Sequence, residues 1–306
     1  MSFSSIVKEE VTRLEGSKIE DIATISAIVR NNAIIDNNIV IVLENNAVAR
    51  YIFKLFKNNY GITCGITVRN KLFNKGLSYI LEVNHKCNEI LSDLSIVSEG
   101  KFLSIPREYL VSDSDALRSY LKGVFMATGS VNDPKTSRYH LELILDDLDY
   151  ANFINDILNK YKLNSKVIRR EKKYTVYIKE AEKISDFLRI IKAYDAVLYY
   201  EDIRIYRDHK NLTNRLNNCE QANMDKIFLT ALSQVKDIEK LQEVDMIELL
   251  DDKLQEVISY RLKYKEASLQ ELSEIISKET GKAITKSGLN HRFRKIREIV
   301  NSLENK

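Results

Sequence analysis

The sequence predicts an α+β protein in two parts: a pseudo-symmetric domain built from one helix-and-strand unit used twice, then a small all-α domain. Three observations carry this. Residues 25–34, "ISAIVRNNAI", align with residues 121–130, "LKGVFMATGS". Each stretch is followed by a run with the period of two expected of a strand, "NIVIVLE" (38–44) and "YHLELIL" (139–145). Finally, residues 254–301 carry three amphipathic helical patterns with recognisable caps.

Composition sets the frame. With 306 residues, 44% apolar and 30% charged, the chain is long enough for two ordinary cores and is not a disordered tail. Only 9 Gly and 2 Pro predict long elements with few breaks. A net charge of +3 is too small to announce a nucleic-acid partner, so the distribution of charge has to decide. Cys64, Cys87 and Cys219 lie far apart and lack CxxC spacing, which suits free thiols in a reducing compartment and no metal or cofactor site. The opening "MSFSSIVKEEVTRLE" has no apolar core like a signal peptide's, and no run approaches the length of about 18 apolar residues that a membrane helix needs. The expected place is the cytoplasm, with no membrane partner.

The elements follow in order. After the first motif helix and strand comes a helix, "AVARYIFKLFKNN" (47–59), then strands "ITCGITVR" and "GLSYILEVN", then a helix around 86–94. The second copy repeats this with a helix at 150–161, strands "SKVIRR" and "YTVYIKE" joined by a charged turn, and a helix around 182–192. Residues 99–118 connect the copies, with Pro106 placed to start a short helix. The expected boundaries are 1–104 and 105–205 for the two halves, 206–252 for a linker and connecting helix, and 253–306 for the all-α domain.

A glycine inside an apolar helix costs about 1 kcal/mol against alanine, so Gly123 calls for a reason. Ala27 occupies the equivalent place in the first copy, and Ser119 and Ala23 lie one turn earlier. Small residues at this spacing let two helices cross with their backbones close. Gly129 then reads as a helix stop in the left-handed conformation that glycine adopts freely.

In the C-terminal part, the first helix turns Leu254, Val257, Ile258 and Leu262 inward. The second starts at Ser268, with Glu271 at capping-box spacing and Leu269, Leu272, Ile275 and Ile276 inside. The third, capped by Thr285 or Ser287, sets Leu289, Phe293, Ile296 and Val300 inside. Outside lie Lys286, Ser287, Asn290, His291, Arg292, Arg294, Lys295 and Arg297. An apolar anchor stripe, polar residues near the start for base edges and cations for phosphates are what a recognition helix in double-stranded DNA requires. On this reading Asn290 pairs with adenine and Arg292 with guanine; an ordinary solvated basic face is the alternative.

A helix with a central and a terminal glycine, used twice and each time followed by a strand, resembles the LAGLIDADG homing-endonuclease fold. In that family the lower ends of the paired helices each deliver a metal-binding carboxylate. Here those positions hold Thr128 and Asn32, which are poor hard ligands for Mg²⁺. Asp36 and Asp133 sit beyond the turns, where an aspartate before a proline is a turn former. With "NRLNNCEQANMDK" (214–226), "EASLQELSEIIS" (266–277), "ITKSGLNHRFRKIREI" (284–299), "GSVNDP" and "YHLEL", the whole chain is similar to the bacterial WhiA family. One departure is Ala33 where the second copy has Gly129. The resemblance implies a degenerate LAGLIDADG-like domain ahead of a helix-turn-helix, no nuclease activity, nucleoid association, and regulation of transcription in sporulating actinomycetes. Elsewhere it implies a link to cell division and chromosome segregation, with a sigma factor or a cell-division protein as further partners. An active endonuclease and a protein-interaction scaffold remain the alternatives.

Three features stay open at this level. Lys166, Arg170, Lys173, Tyr177 and Lys179 on the last hairpin form a second candidate DNA contact, or a solvated strand face. In residues 214–226, Asn214, Arg215, Asn218, Glu220, Asn223 and Lys226 recur on a polar face, with Cys219 and Ala222 expected inside. His140 and His209 have no neighbour at metal-ligand spacing and read as structural.

Overall fold

The computed structural model describes residues 2–70 and 76–304. They form two units, residues 1–207 and 208–306. The first opens with α1 (Phe3–Val11), then α2 (Lys18–Asn32), β1 (Ala33–Ile35), β2 (Ile39–Leu43), α3 (Asn46–Tyr60), β3 (Gly65–Asn70), β4 (Leu77–Val83) and α4 (Cys87–Asp93). A two-stranded ribbon, β5 (Val97–Ser98) with β6 (Lys101–Phe102), leads through a 3₁₀ turn at Glu108–Leu110 to the second copy. That copy comprises α5 (Ser114–Thr128), β7 (Gly129–Val131), β8 (Leu141–Leu145), α6 (Leu148–Lys160), β9 (Lys166–Arg170), β10 (Lys173–Ile178) and α7 (Ala181–Ile190).

The repeat is exact at the level of topology. The two antiparallel sheets have the orders β1-β2-β4-β3 and β7-β8-β10-β9. Register repeats too: Ala33 pairs with Ile41 as Gly129 pairs with Leu143. Each copy also contains a three-residue strand directly after its motif helix, β1 and β7, which the sequence reading did not anticipate. Three residues are too few for a period of two to register.

The motif helices α2 and α5 pack along each other. A Cβ built on Gly123 would lie 2.7 Å from the Thr24 carbonyl oxygen and 2.8 Å from Ala27 Cβ. The glycine is therefore required by contact, as its spacing predicts. Thr24 Oγ1 donates to the Ser119 carbonyl across the seam at 3.2 Å. Gly129 differs from expectation. Its backbone is extended (φ −76°, ψ 145°), because the chain runs straight into β7 rather than turning. What excludes a side chain there is Phe125, whose ring carbon would sit 2.3 Å from a Cβ. Ala33, equally extended at φ −96° and ψ 140°, fills the same position in the first copy. The departure noted at Ala33 thus needs no special conformation.

Asp133 behaves as a turn former, accepting from the Lys135 N–H at 2.9 Å. His140 is held by Glu142 at 3.2 Å.

From residue 194 the chain is helical for 50 residues, α8 (Tyr194–Glu243). Its start belongs to the first unit, where Tyr200 is buried beside Phe3 and Tyr139. Its end belongs to the second, where Ile238 and Leu241 join the core. The second unit continues with α9 (Asp252–Lys263), α10 (Leu269–Thr280) and α11 (Lys286–Glu304). The stretch expected to be a linker and connecting helix, 206–252, is largely helix, and Ile238 and Leu241 put its C-terminal part in the core of the second unit. The acidic residues of 237–252 hide this, because Ile238 and Leu241 are the inward positions of an otherwise polar face.

Ser268 and Glu271 make both hydrogen bonds of the capping box, at 3.1 and 2.7 Å. Thr285 caps α11 by accepting from Gly288 N–H at 3.1 Å. Leu289, Phe293, Ile296 and Val300 are all buried against Leu254, Val257, Ile258, Leu272 and Ile276. Burying side chains of this size contributes about 1.5–3 kcal/mol each before the cost of ordering the chain.

Candidate nucleic-acid interface

Three places could meet nucleic acid: the lower ends of the motif helices, the sheet of the second copy, and α11. At the helix ends, Asn32 Nδ2 donates to the Val42 carbonyl at 3.1 Å and Thr128 Oγ1 to the Val124 carbonyl at 3.2 Å. Asn32 thus donates across to β2, and Thr128 within α5. Among the described residues, no group of three or more His, Cys, Asp or Glu comes together as a metal could require.

On the sheet, Lys166, Arg170, Lys173 and Tyr177 share a face, since Lys166 pairs with Tyr177 and Arg170 with Lys173 across the β9–β10 hairpin. Glu142, opposite Tyr177 on β8, shares it too. Arg170 lies 3.6 Å from Glu142, and Lys173 lies 2.9 Å from Asp146, just past β8. Lys179 sits over the Tyr177 ring, which stacks on His140. The face carries both signs of charge.

Along α11 the eight polar residues divide by angle. At 100° per residue, Arg292 and Lys295 fall on one flank, Lys286, Asn290, Arg294 and Arg297 on the other, and Ser287 and His291 between them. Arg292 is half-buried, with Nη1 3.4 Å from the Lys253 carbonyl and 3.5 Å from Glu256. Lys295 reaches Asp251, the N-cap of α9, at 3.3 Å. The Leu254 N–H, and after it Lys295, hold the Asp251 carboxyl below its ordinary pKa. Arg297 lies 3.0 Å from Ser233 and 3.8 Å from Asp237, both on α8. Burial pushes the Asp237 pKa up, and Arg297 opposes this.

Arg292 was expected to pair with guanine; in the structure its partners are on α9. Its guanidinium is turned back onto α9, away from Asn290, because the two positions lie 200° apart on the helix. Lys286, Ser287, Asn290, His291 and Arg294 remain. All five are exposed, and their side chains make no hydrogen bond or ion pair among the described residues.

Two features escaped sequence reasoning. Arg261 is 1% exposed in the core of the second unit, donating to the Tyr264 and Ala267 carbonyls at 3.3 and 2.6 Å and lying over the Phe293 ring. Its position seven residues after Leu254 and four after Val257 was the available signal. Cys219 and Ala222, expected inside, are exposed, as is all of residues 211–230. Over this stretch α8 buries no side chain among the described residues, although residues 223–230 flank α10 and α11.

Sequence models of known families match the chain in three consecutive pieces. The WhiA N-terminal LAGLIDADG-like domain matches residues 18–97, the WhiA LAGLIDADG-like domain residues 117–210, and the WhiA C-terminal HTH domain residues 213–300. The probable cell division protein WhiA of Bacillus cytotoxicus is 43% identical over 310 residues, covering 99% of this chain and 97% of its own. That of Staphylococcus epidermidis is 41% identical over 311 residues, covering 100% and 98%. In fold, the crystal structure of full-length DUF199/WhiA from Thermatoga maritima covers 99% of both chains with a TM-score of 0.60 at 23% identity. With all three family domains in order and relatives this similar along their whole length, the chain belongs to the WhiA family.

Proposed function

We propose that this protein binds double-stranded DNA sequence-specifically through α11, regulates transcription in support of cell division and chromosome segregation, and cleaves no DNA. The observation that carries the reading is the uncommitted edge of α11. Lys286, Ser287, Asn290, His291 and Arg294 project from a helix whose opposite side is anchored by four buried apolar residues. Asn290 has the bidentate amide suited to adenine and Arg294 the fork suited to guanine, while Lys286 and the helix start suit phosphate. Arg292, Lys295 and Arg297 hold α11 to its neighbours, so their role is to aim this edge.

The cell-division assignment rests on the relatives, which are named as probable cell division proteins. Action in the cytoplasm at the nucleoid, with a sigma factor or division protein alongside, extends the same reading. Asn32 and Thr128, in place of carboxylates and engaged with backbone carbonyls, support the absence of nuclease chemistry.

The test is a genome-wide immunoprecipitation map of the full chain beside that of Arg294→Ala, followed by anisotropy titration of a recovered site. Discrete sites that vanish in the variant are expected. An unchanged map would sink the reading, and chelator-sensitive cleavage of a recovered site in Mg²⁺ would restore the endonuclease.

A further inference from the structure

The function above leaves two features of the second unit unused: the polar residues of α8 and the buried Arg261. They meet in one groove of about 810 Å³, walled by Asn223 and Lys226 of α8 and by the first turns of α10 and α11. Three cations, Lys226, Arg261 and Lys286, line it, and among the described residues no aspartate or glutamate does. Among the described residues, Arg261 hydrogen-bonds only to carbonyl oxygens, and its Nε has no hydrogen-bond partner. A guanidinium buried without a counter-anion is unusual, because such charges are ordinarily paired.

The two helix starts add to this. First-turn N–H groups have no acceptor inside their own helices, and each N-terminus carries about half a positive charge. Ser268 and Thr285 cap only one N–H apiece, from Glu271 and Gly288. The carboxylate of Glu271 is engaged by Ser268 N–H. Backbone donors, lysines and a buried guanidinium around one cleft describe a seat for a tetrahedral oxyanion.

The cleft shares Lys286, Ser287 and Asn290 with the edge assigned to base reading. An anion held there lies beside the bases that α11 would contact, where a duplex presents its backbone. We infer that this groove seats a backbone phosphate of the bound duplex, so that Asn223 and Lys226 of α8 extend the DNA contact beyond the helix-turn-helix. The inference rests on the DNA-binding reading above.

Lys226 and Asn223 are exposed, so replacing them spares the core. The experiment titrates the full chain with a labelled recovered site and a scrambled duplex over a range of salt, for wild type, Lys226→Gln, Asn223→Ala, Arg294→Ala and, as a control outside the groove, Lys236→Gln. Lys226→Gln should weaken both duplexes by the same factor and lower the log–log salt slope by about one unit, with Lys236→Gln unchanged. Asn223→Ala should weaken both equally with the slope kept. If the groove variants match wild type while Arg294→Ala loses specificity, the groove is not a DNA contact and the DNA reading stands. If Arg294→Ala also binds as wild type does, both fall. A parallel titration with inorganic phosphate follows the amide resonances of Gln270 and Ser287. Saturable shifts there, together with unaltered duplex binding by Lys226→Gln, would overturn the inference in favour of a free phosphate-bearing ligand.

Discussion

On the sheet of the first unit, cations are held by carboxylates of the neighbouring segment; along one edge of α11 they are held by no carboxylate among the described residues. Arg170 and Lys173 lie against Glu142 and Asp146, whereas Lys286 and Arg294 make no ion pair among the described residues. Counting lysines and arginines along a segment treats the two surfaces alike. What separates them is the neighbouring strand, whose residues arrive from elsewhere in the chain and cancel the charge.

The hardest test of this contrast asks whether the two units fail separately. Gly123→Leu forces a side chain onto the Thr24 carbonyl and Ala27, and overpacking of that kind costs about 1–3 kcal/mol or more. In urea, the transition of the first unit should move to lower denaturant while the helical signal of the second persists. A variant that melts like wild type would mean that α2 and α5 do not cross this closely.

Next in size is the loss of a base contact. Arg294→Ala should cost about 1–3 kcal/mol in binding and relax specificity at one position of the site, read by anisotropy against single-base variants. Arg292→Ala, by contrast, should act through the docking of α9 on α11. It is expected to lower the melting temperature and to leave base preference as it was.

A third prediction uses Lys122, 5% exposed beside Tyr51, whose ammonium burial brings down to about 8 despite the opposing pull of Asp21 and Glu20. Below pH 8 both folded and unfolded states hold the proton, and stability is flat. Between pH 8 and 9 the folded state releases it while the unfolded chain, with a value of about 10.5, does not. Stability of the first unit should therefore rise with pH, with Lys122 contributing at most about 1.4 kcal/mol per unit and Lys8, likewise brought down to about 8 by burial, acting in the same sense. Lys122→Met should reduce that slope by about half, and the further change Lys8→Met should flatten it. Above pH 9 the Cys64 thiol, pushed up to about 11 by burial, acts in the opposite sense, so the window closes there.

The smallest effect is the most direct check on the comparison. Arg170→Ala with Lys173→Ala should leave DNA affinity within about 0.5 kcal/mol, as exposed ion pairs commonly do. A loss as large as that of Arg294→Ala would make the sheet a second reading surface.

Much of this was legible beforehand because it rests on periodicity. The repeat, the seam at Gly123 and Ala27, and the stripe Leu289–Phe293–Ile296–Val300 all follow from spacing within one element. What was not legible depends on partners. Gly129 looked like a left-handed stop, since nothing local reveals the strand that begins there or the Phe125 ring that occupies the space of a side chain. The approach of Arg292 to Glu256 could not be read, because Glu256 lies on another helix. Residues 214–226 gave no inward face to find, because every one of them is exposed.

The crossing at Gly123 has a further consequence. Residues 27 and 123 are equivalent positions of the repeat, and they touch each other. In an assembly of two identical chains, a residue on such an axis would have to face its own copy: two alanines would crowd, and two glycines would leave a gap. Covalent joining removes that obligation, so one half can supply the methyl group and the other the space to receive it. The fused chain is free to drift away from symmetry at its most crowded point, and neither half is then a good partner for a duplicate of itself.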